Sequence, residues 1–334
     1  MKWDIVAVLM LVTRTPVRVS FCGGGTDLPA FYNVNESGGL VTSMALQAYI
    51  YVTVNKRFDD SIRISYSKTE IVDDFEEIQH ELVRESMRMT GVTSGVEITT
   101  IADIPGKGTG LGSSSSVTVG LLHALHAYAG REVSAKQLAQ EACEIEIHVL
   151  NQTIGKQDQY AAAYGGVNQI YFFQDNSVDI KPIKSEKIEG ISEHFCLVWT
   201  GLSRKATPIL EQQSKNTESK MNRLLSMRKQ AEDVSSLLEI GDWGSIGAML
   251  GDAWKLKKGI VDGISNNEID ALYDKLMNLG CSGGKLLGAG GGGFILVQAS
   301  KEVQEKISSQ LGNTVIPLMI DNCGSTILLD DRGA

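Results

Sequence analysis

Three groups of residues have types and spacings that suit chemistry. The first is the run Pro105-Gly-Lys-Gly-Thr-Gly110-Leu-Gly-Ser113-Ser-Ser-Ser116. Glycines let backbone N–H groups approach an anion closely, and a helix starting just beyond adds free donors and the positive end of its dipole. Gly108, Gly110, Leu111, Gly112, Ser113, Ser114 and Ser115 are therefore expected to cradle phosphate, in preference to a merely flexible loop with a serine N-cap. The run is neither a P-loop, because no Gly-Lys pair is followed by Ser or Thr at the required spacing, nor a G-x-G-x-x-G dinucleotide turn.

The second group is acidic. Glu146 lies four residues after Ala142 and three before Val149, on the apolar side of a helical pattern that also holds Leu138 and Ile145. Glu141, Glu144 and His148 fall on the other face. A buried carboxylate needs a metal or a cationic partner. Asp158 follows in Gly155-Lys-Gln-Asp-Gln, where the next helix is expected to begin. Either carboxylate alone reads as a salt bridge or an N-cap, and their joint placement behind a phosphate loop favours a functional reading. The third group is Arg18-Val-Ser-Phe-Cys-Gly-Gly-Gly-Thr-Asp27, in which three glycines follow a strand and Asp27 can accept hydrogen bonds from sugar hydroxyls. Standing alone it would be a tight turn.

These groups need elements to hold them. Strand-like runs are expected over Val17 to Cys22, Leu40 to Lys56, Ile62 to Tyr66 and Val96 to Ile101, with a helix around Glu76 to Met89. After the phosphate loop, Val117, Leu121, Leu125 and Tyr128 recur at helical spacing, and Gly130 closes that helix. Ser134 with Gln137 forms a capping-box pattern that opens another, ending near Leu150. A strand at Val167 to Phe173 leads into the polar stretch Gln174 to Glu193, read as a surface connection. Beyond it come a strand at Phe195 to Thr200 and a helical stretch from Pro208 to Leu238. Helices near Trp243 to Trp254 and Asn267 to Leu279 follow, then strands at Phe294 to Gln298, Thr314 to Ile320 and Thr326 to Leu329. The layout is two α+β domains, residues 1–190 and 191–334.

At 334 residues the chain can bury a substantial core, and a net charge of −9 removes any general basic footprint for nucleic acid. Five scattered cysteines without metal spacing read as free thiols of a reducing compartment. The apolar run Ile5 to Val12 lacks a small-residue cleavage site and falls far short of the roughly 20 residues that span a bilayer. It reads as a first strand, or as an upstream extension ahead of Met10, and a cytoplasmic setting is expected.

The sequence resembles the GHMP kinases in three motifs that appear in the family's order. Gly110-Leu-Gly-Ser-Ser114 matches the core of their second motif, P-x-x-x-G-L-G-S-S-A, with one extra residue after the proline and Ser115 in place of alanine. The front group matches their first motif. Galactokinases carry a G-E-H-T-D form there, whereas the G-G-G-T-D form resembles bacterial heptose kinases acting on D-glycero-D-manno-heptose 7-phosphate. Lys285-Leu-Leu-Gly288-Ala-Gly-Gly-Gly-Gly293-Phe resembles the third motif, a loop closing on the active site from the second domain.

The resemblance implies an N-terminal α+β domain, a ferredoxin-like C-terminal domain and a site in the cleft between them. It implies an ATP-dependent sugar kinase using Mg2+, with ATP and a sugar phosphate as partners and neither nucleic acid nor membrane, and it leaves a homodimer open. Ser114 and Glu146 would hold the metal, Asp158 would be the catalytic aspartate, and Arg18 would assist it. Lys156 would tune Asp158 or stabilise the transferring phosphoryl group, with an outward, solvated lysine as the alternative. Gly24, Gly25, Thr26, Asp27, Gly291 and Gly292 would meet substrate. Thr200-Gly-Leu-Ser-Arg204 resembles a stretch of the heptose kinases in which Arg204 would hold the acceptor's phosphate. The competing readings are a fucose- or galactose-type kinase, and a sugar-responsive regulator that binds ATP without transfer.

Overall fold

The computed structural model describes residues 10–105, 108–203, 207–312 and 314–331. The elements run β1 (Met10–Cys22), α1 (Pro29–Tyr32), β2 (Gly39–Lys56), β3 (Ile62–Ser65), β4 (Thr69–Val72), α2 (Glu81–Thr90), β5 (Val96–Ala102), α3 (Ser113–Tyr128), α4 (Ala135–Cys143), α5 (Gln157–Tyr164), β6 (Val167–Phe172) and β7 (Val178–Pro182). The second half follows with β8 (Phe195–Trp199), α6 (Thr207–Asn216), α7 (Met221–Ile240), α8 (Trp243–Lys258), α9 (Asn267–Asn278), β9 (Gly283–Leu286), β10 (Phe294–Gln298), α10 (Lys301–Leu311), β11 (Val315–Pro317) and β12 (Thr326–Asp330).

Alternating apolar residues drive the first sheet, whose order is β12-β1-β2-β5-β3-β4, with β6 and β7 added beside β2. The long β2 pairs with β1 along most of its length, with β6 at its start and with β5 at its end. The second sheet, β11-β8-β10-β9, is antiparallel. Its strands and helices form a β-α-β-β-α-β unit with the ferredoxin-like order, as expected. Sheet membership changes between β7 and β8, except that β12 returns to pair with β1. Apolar packing is continuous across the two sheets: Phe21 of β1 meets Phe195 of β8 edge to face, with ring centroids 6.2 Å apart.

Local chemistry sets the element ends. The Ser134 hydroxyl accepts from Gln137 N–H at 3.1 Å, completing the expected cap of α4. Asn266 caps α9 by accepting from the Glu268 and Ile269 N–H groups. The helix expected from Glu76 begins instead at Glu81, because the Asp74 side chain accepts from Glu76 N–H and closes a separate short turn. The polar stretch after Phe173 contains β7, an exposed edge strand joined to β6 by a turn at Asn176, which adopts φ +64°. Its apolar side is only Val178 and Ile180, half-buried against the core, and five residues set in a polar stretch are too short an alternation to stand out from a loop. All five cysteines are free thiols, with only Cys323 exposed. Among the described residues no helix is long and apolar enough to cross a membrane.

Candidate active site

α3 begins at Gly112, which takes a left-handed φ of +73° that a side chain would resist. No side chain caps this helix, and its first turn holds no acidic residue, so the positive end of a 16-residue helix faces the glycine loop. Two neighbouring segments pin that loop. Arg18 N–H donates to the Leu111 carbonyl at 3.0 Å, and Phe294 N–H donates to the Thr109 carbonyl at 3.1 Å.

The Arg18 side chain extends from β1 beneath the loop. Its Nε and Nη2 donate to the two oxygens of Asp158 at 2.7 and 2.8 Å, and Nη1 donates to the Gly110 carbonyl at 2.5 Å. This bidentate fork fixes the carboxylate plane against the glycine loop. A Cβ at Gly112 would come within 2.9 Å of Asp158 Oδ2, so this glycine also admits the carboxylate.

The first turn of α5 joins three acidic centres through consecutive residues. Gln157 Nε2 donates to Asp27 Oδ2 at 3.0 Å, Asp158 pairs with Arg18, and Gln159 Nε2 donates to Glu146 Oε2. Asp27 also accepts from Gly25 N–H at 2.9 Å. Burial raises its carboxyl above the usual range, and the nearby Asp158 charge raises it further. Its approach to Gly155 is so close that a Cβ there would stand 1.8 Å from Asp27 Oδ2.

Glu146 is fully buried on a six-residue π-helical turn, Glu144–Val149, that continues α4. Such turns are rare and often occur at functional sites. Its carboxylate accepts from Ser115 Oγ at 2.8 Å, Thr118 Oγ1 at 3.0 Å and Ser114 Oγ at 3.4 Å, besides Gln159. Every one of these donors is neutral. Burial therefore dominates and pushes the carboxyl up to about 7, against the lowering effect of the hydrogen bonds. Hard oxygen donors from Ser114 and Glu146, with no cation among the described residues to balance the carboxylate, fit a magnesium ion that also takes nucleotide phosphates. Among the described residues no group of three or more His, Cys, Asp or Glu forms a self-sufficient metal cage.

Arg18, Asp27, Gln157 and Asp158 line one cleft of about 730 Å3, together with Ser20, Gly24, Gly25, Gln213, Lys257 and Gly292, whereas Glu146 and Gln159 are fully buried and outside its lining. Gly108, Gly110, Gly112 and Ser113 to Ser115 also face it, whereas the Leu111 side chain is buried in the core. Thr26 is turned inward, its hydroxyl hydrogen-bonded to the Gly23 and Leu40 backbone. Gly291 does not line the cleft; its N–H donates to the Ile264 carbonyl at 2.9 Å.

Lys156 departs from the expected contact with Asp158. Its ammonium donates to the Asn176 backbone carbonyl at 3.1 Å and lies 5.2 Å from the Tyr32 ring centroid, and burial lowers its pKa. Arg18 takes the place beside Asp158. Arg204 lies outside the described residues, although the neighbouring Ser203 lines the cleft. Gln157, Gln159, Gln213 and Lys257 were given no role from the sequence, and Lys285 entered only as the first residue of the third motif's run. The Gln-Asp-Gln alternation around Asp158 was the available signal for the first two, and Gln213 and Lys257 carry no motif of their own.

Known proteins resemble this chain along most of its length. The family model described as "GHMP kinases N terminal domain" matches residues 75–166, and "GHMP kinases C terminal" matches residues 234–316. A D-glycero-alpha-D-manno-heptose 7-phosphate kinase of Campylobacter jejuni is 30% identical over 302 residues, which are 85% of this chain and 87% of that protein. The L-fucokinase/L-fucose-1-P guanylyltransferase of Bacteroides fragilis is 26% identical over 89% of this chain, which spans 35% of that longer protein. Among solved structures, a D-glycero-D-manno-heptose 1-phosphate kinase from Bacteriodes thetaiotaomicron superposes with a TM-score of 0.79 at 23% identity, covering 96% of this chain and 99% of that one. With a glycine loop at a helix N-terminus facing an arginine-held aspartate, and family matches in both halves, the chain belongs to the GHMP kinases and is a phosphotransferase with an alcohol group as acceptor.

Proposed function

We propose that the chain transfers the γ-phosphoryl group of ATP to the anomeric hydroxyl of D-glycero-D-manno-heptose 7-phosphate, giving the 1,7-bisphosphate and ADP. The observation that carries this reading is the Arg18–Asp158 pair, set between the phosphate loop and the Asp27 end of the same cleft. Near Asp27 the cleft wall is the backbone of Gly24 and the Gln213 side chain seated against Gly25, where the galactokinase form of the motif has Glu and His side chains. The name of the 30% identical relative supports the same choice.

Asp27 and Gln157 would orient the sugar. Gln157 Oε1 is buried without a protein partner among the described residues, so it can accept from a sugar hydroxyl. Arg204 is proposed to hold the phosphate already on the acceptor. Asp158 holds the anomeric hydroxyl in line with the γ-phosphorus. A new O–P bond then forms, the bond from the γ-phosphorus to the bridging oxygen of ADP breaks, and the hydroxyl proton passes to an Asp158 oxygen. The transition state is loose, so the proton leaves late and positioning supplies much of the effect. Arg18 keeps Asp158 in one orientation, and the α3 N-terminus stabilises the phosphates. Ser114 and Glu146 would hold magnesium, which when bound neutralises charge on the β- and γ-phosphates.

A coupled ADP-release assay over a panel of sugars and sugar phosphates tests the substrate. The expected result is the highest kcat/KM for the heptose 7-phosphate. A higher value for an unphosphorylated hexose, fucose or galactose rejects the heptose assignment and leaves the kinase assignment intact.

A further inference from the structure

Two lysines of the second half are buried near the cleft, and no step above uses either. Lys285 of β9 donates to the Ser20 and Phe21 carbonyls at 2.9 Å each and faces away from the cleft lining. Lys257, near the end of α8, is 7% exposed and does line the cleft. Its ammonium donates to the Gly288 carbonyl and, at 3.4 Å, to the Leu286 carbonyl. Among the described residues it has no carboxylate in ion-pair contact.

Burying an ammonium without a counter-charge is costly. Burial lowers the Lys257 pKa well below its ordinary value, and the neighbouring Lys285 and Arg18 charges lower it further, while Asp27 acts in the opposite direction. Carbonyl dipoles compensate only part of that penalty. The residue stands where anions must gather: a Cβ on Gly288 would lie 2.5 Å from the Cα of Gly110 in the phosphate loop, so the loop that Lys257 holds rests directly on the loop that faces phosphate.

We propose that Lys257 is a phosphate-contacting residue of the cleft, its ammonium turning from the Gly288 and Leu286 carbonyls to the oxygens of a phosphate group that enters with the ligands. Two sources share that chemistry: the terminal phosphate of the nucleotide and the phosphate carried by the acceptor. The second source rests on the proposed heptose 7-phosphate substrate, and the first does not.

The test compares wild type with Lys257→Met and Lys257→Arg, each checked for folding by thermal melting. Affinity for Mg2+ with the non-hydrolysable analogue AMP-PNP is measured without acceptor, and KM is measured for the heptose 7-phosphate and for the unphosphorylated heptose. Loss of a charge-assisted contact predicts a roughly tenfold or larger weakening in Lys257→Met, with substantial recovery in Lys257→Arg. Weaker AMP-PNP binding assigns the contact to the nucleotide. A raised KM confined to the phosphorylated acceptor assigns it to the acceptor. If Lys257→Met folds and only kcat falls, with both affinities unchanged, Lys257 merely positions the Gly288 loop and the proposal is overturned. If Lys257→Met does not fold, Lys257→Gln takes its place in the same measurements. A wild-type enzyme that prefers unphosphorylated sugars defeats the heptose reading alone, because the AMP-PNP measurement still decides the role of Lys257.

Discussion

The two glycine-rich loops of the cleft look alike in sequence and do different work. The loop before α3 ends on a helix N-terminus, and its glycines let backbone and the Asp158 carboxylate approach where phosphate is proposed to bind. The loop before β10 ends on a strand and meets the first loop through its glycines. A Cβ on Gly288 would meet the Gly110 Cα, and one on Gly293 would stand 2.4 Å from the Thr109 carbonyl oxygen. The first loop faces the cleft with a helix N-terminus, and the second lines the cleft through Gly288 and Gly292 while packing on the first loop. Glycine content alone does not distinguish these roles; the element that follows each loop does.

If the loops divide the work in this way, changes on the first-loop side should alter turnover more than stability. Asp158→Asn is expected to show the largest effect, a fall in kcat of about 10²- to 10⁴-fold with nucleotide affinity retained. Turnover and AMP-PNP binding measured on one folded preparation check this. Near-normal turnover would remove Asp158 from the chemistry.

Glu146→Gln should weaken productive use of magnesium, with partial recovery at high magnesium, as a metal titration of activity would show. The same change should stabilise the metal-free protein at neutral pH. The folded carboxyl keeps its proton until about 7, whereas the unfolded chain releases it near the ordinary value of 4.5. Between those values the native state binds more protons, so wild-type stability falls as pH rises, by about 3 kcal/mol in all. Below pH 4.5 both states are protonated and the penalty is absent. Denaturant melts of wild type and variant from pH 4.5 to 8 should therefore diverge; parallel curves contradict the burial argument.

On the second-loop side, Gly288→Ala should lower stability by about 1–3 kcal/mol, because its Cβ meets backbone that cannot yield as a side-chain tip can. Activity should fall with it. A variant as stable as wild type would show that the two loops are not in fixed contact.

The smallest effect is expected from Lys285→Met. It leaves the Ser20 and Phe21 carbonyls unpaired, at a cost of about 1–3 kcal/mol, but removes a buried ammonium whose desolvation offsets part of that loss. Burial lowers the Lys285 pKa to about 8 from 10.5, so the unfolded state binds more protons between those values and wild-type stability rises with pH across that window. The variant should lack this rise, as melts between pH 8 and 10.5 would show.

Much of the site was legible from residue type and order. The strand-glycine-helix arrangement around Gly112, the inward side of Glu146 and the start of a helix at Asp158 follow from local periodicity and capping, which act over a few residues. The expected boundaries of β10 matched the structure, because a short apolar run bounded by glycines and polar residues is a strong strand signal. β7 was hidden because its apolar alternation is only Val178 and Ile180 within a polar stretch, and the π-helical turn was hidden because its sequence fits an ordinary helix.

The sequence by itself determined which residues are able to bind phosphate, metal and sugar, since those capacities belong to side chains and to helix ends. Only the tertiary structure decided their pairings. Arg18 meets Asp158 across 140 positions, Gln157 meets Asp27 across 130, and Lys285 reaches the carbonyls of β1 across more than 260. It also turned Lys156 toward Asn176 and Tyr32, and set Lys257 into the cleft. Such choices depend on how sheets and helices pack around a shared core, and a charge brought into that core takes whichever partner the packing brings within reach.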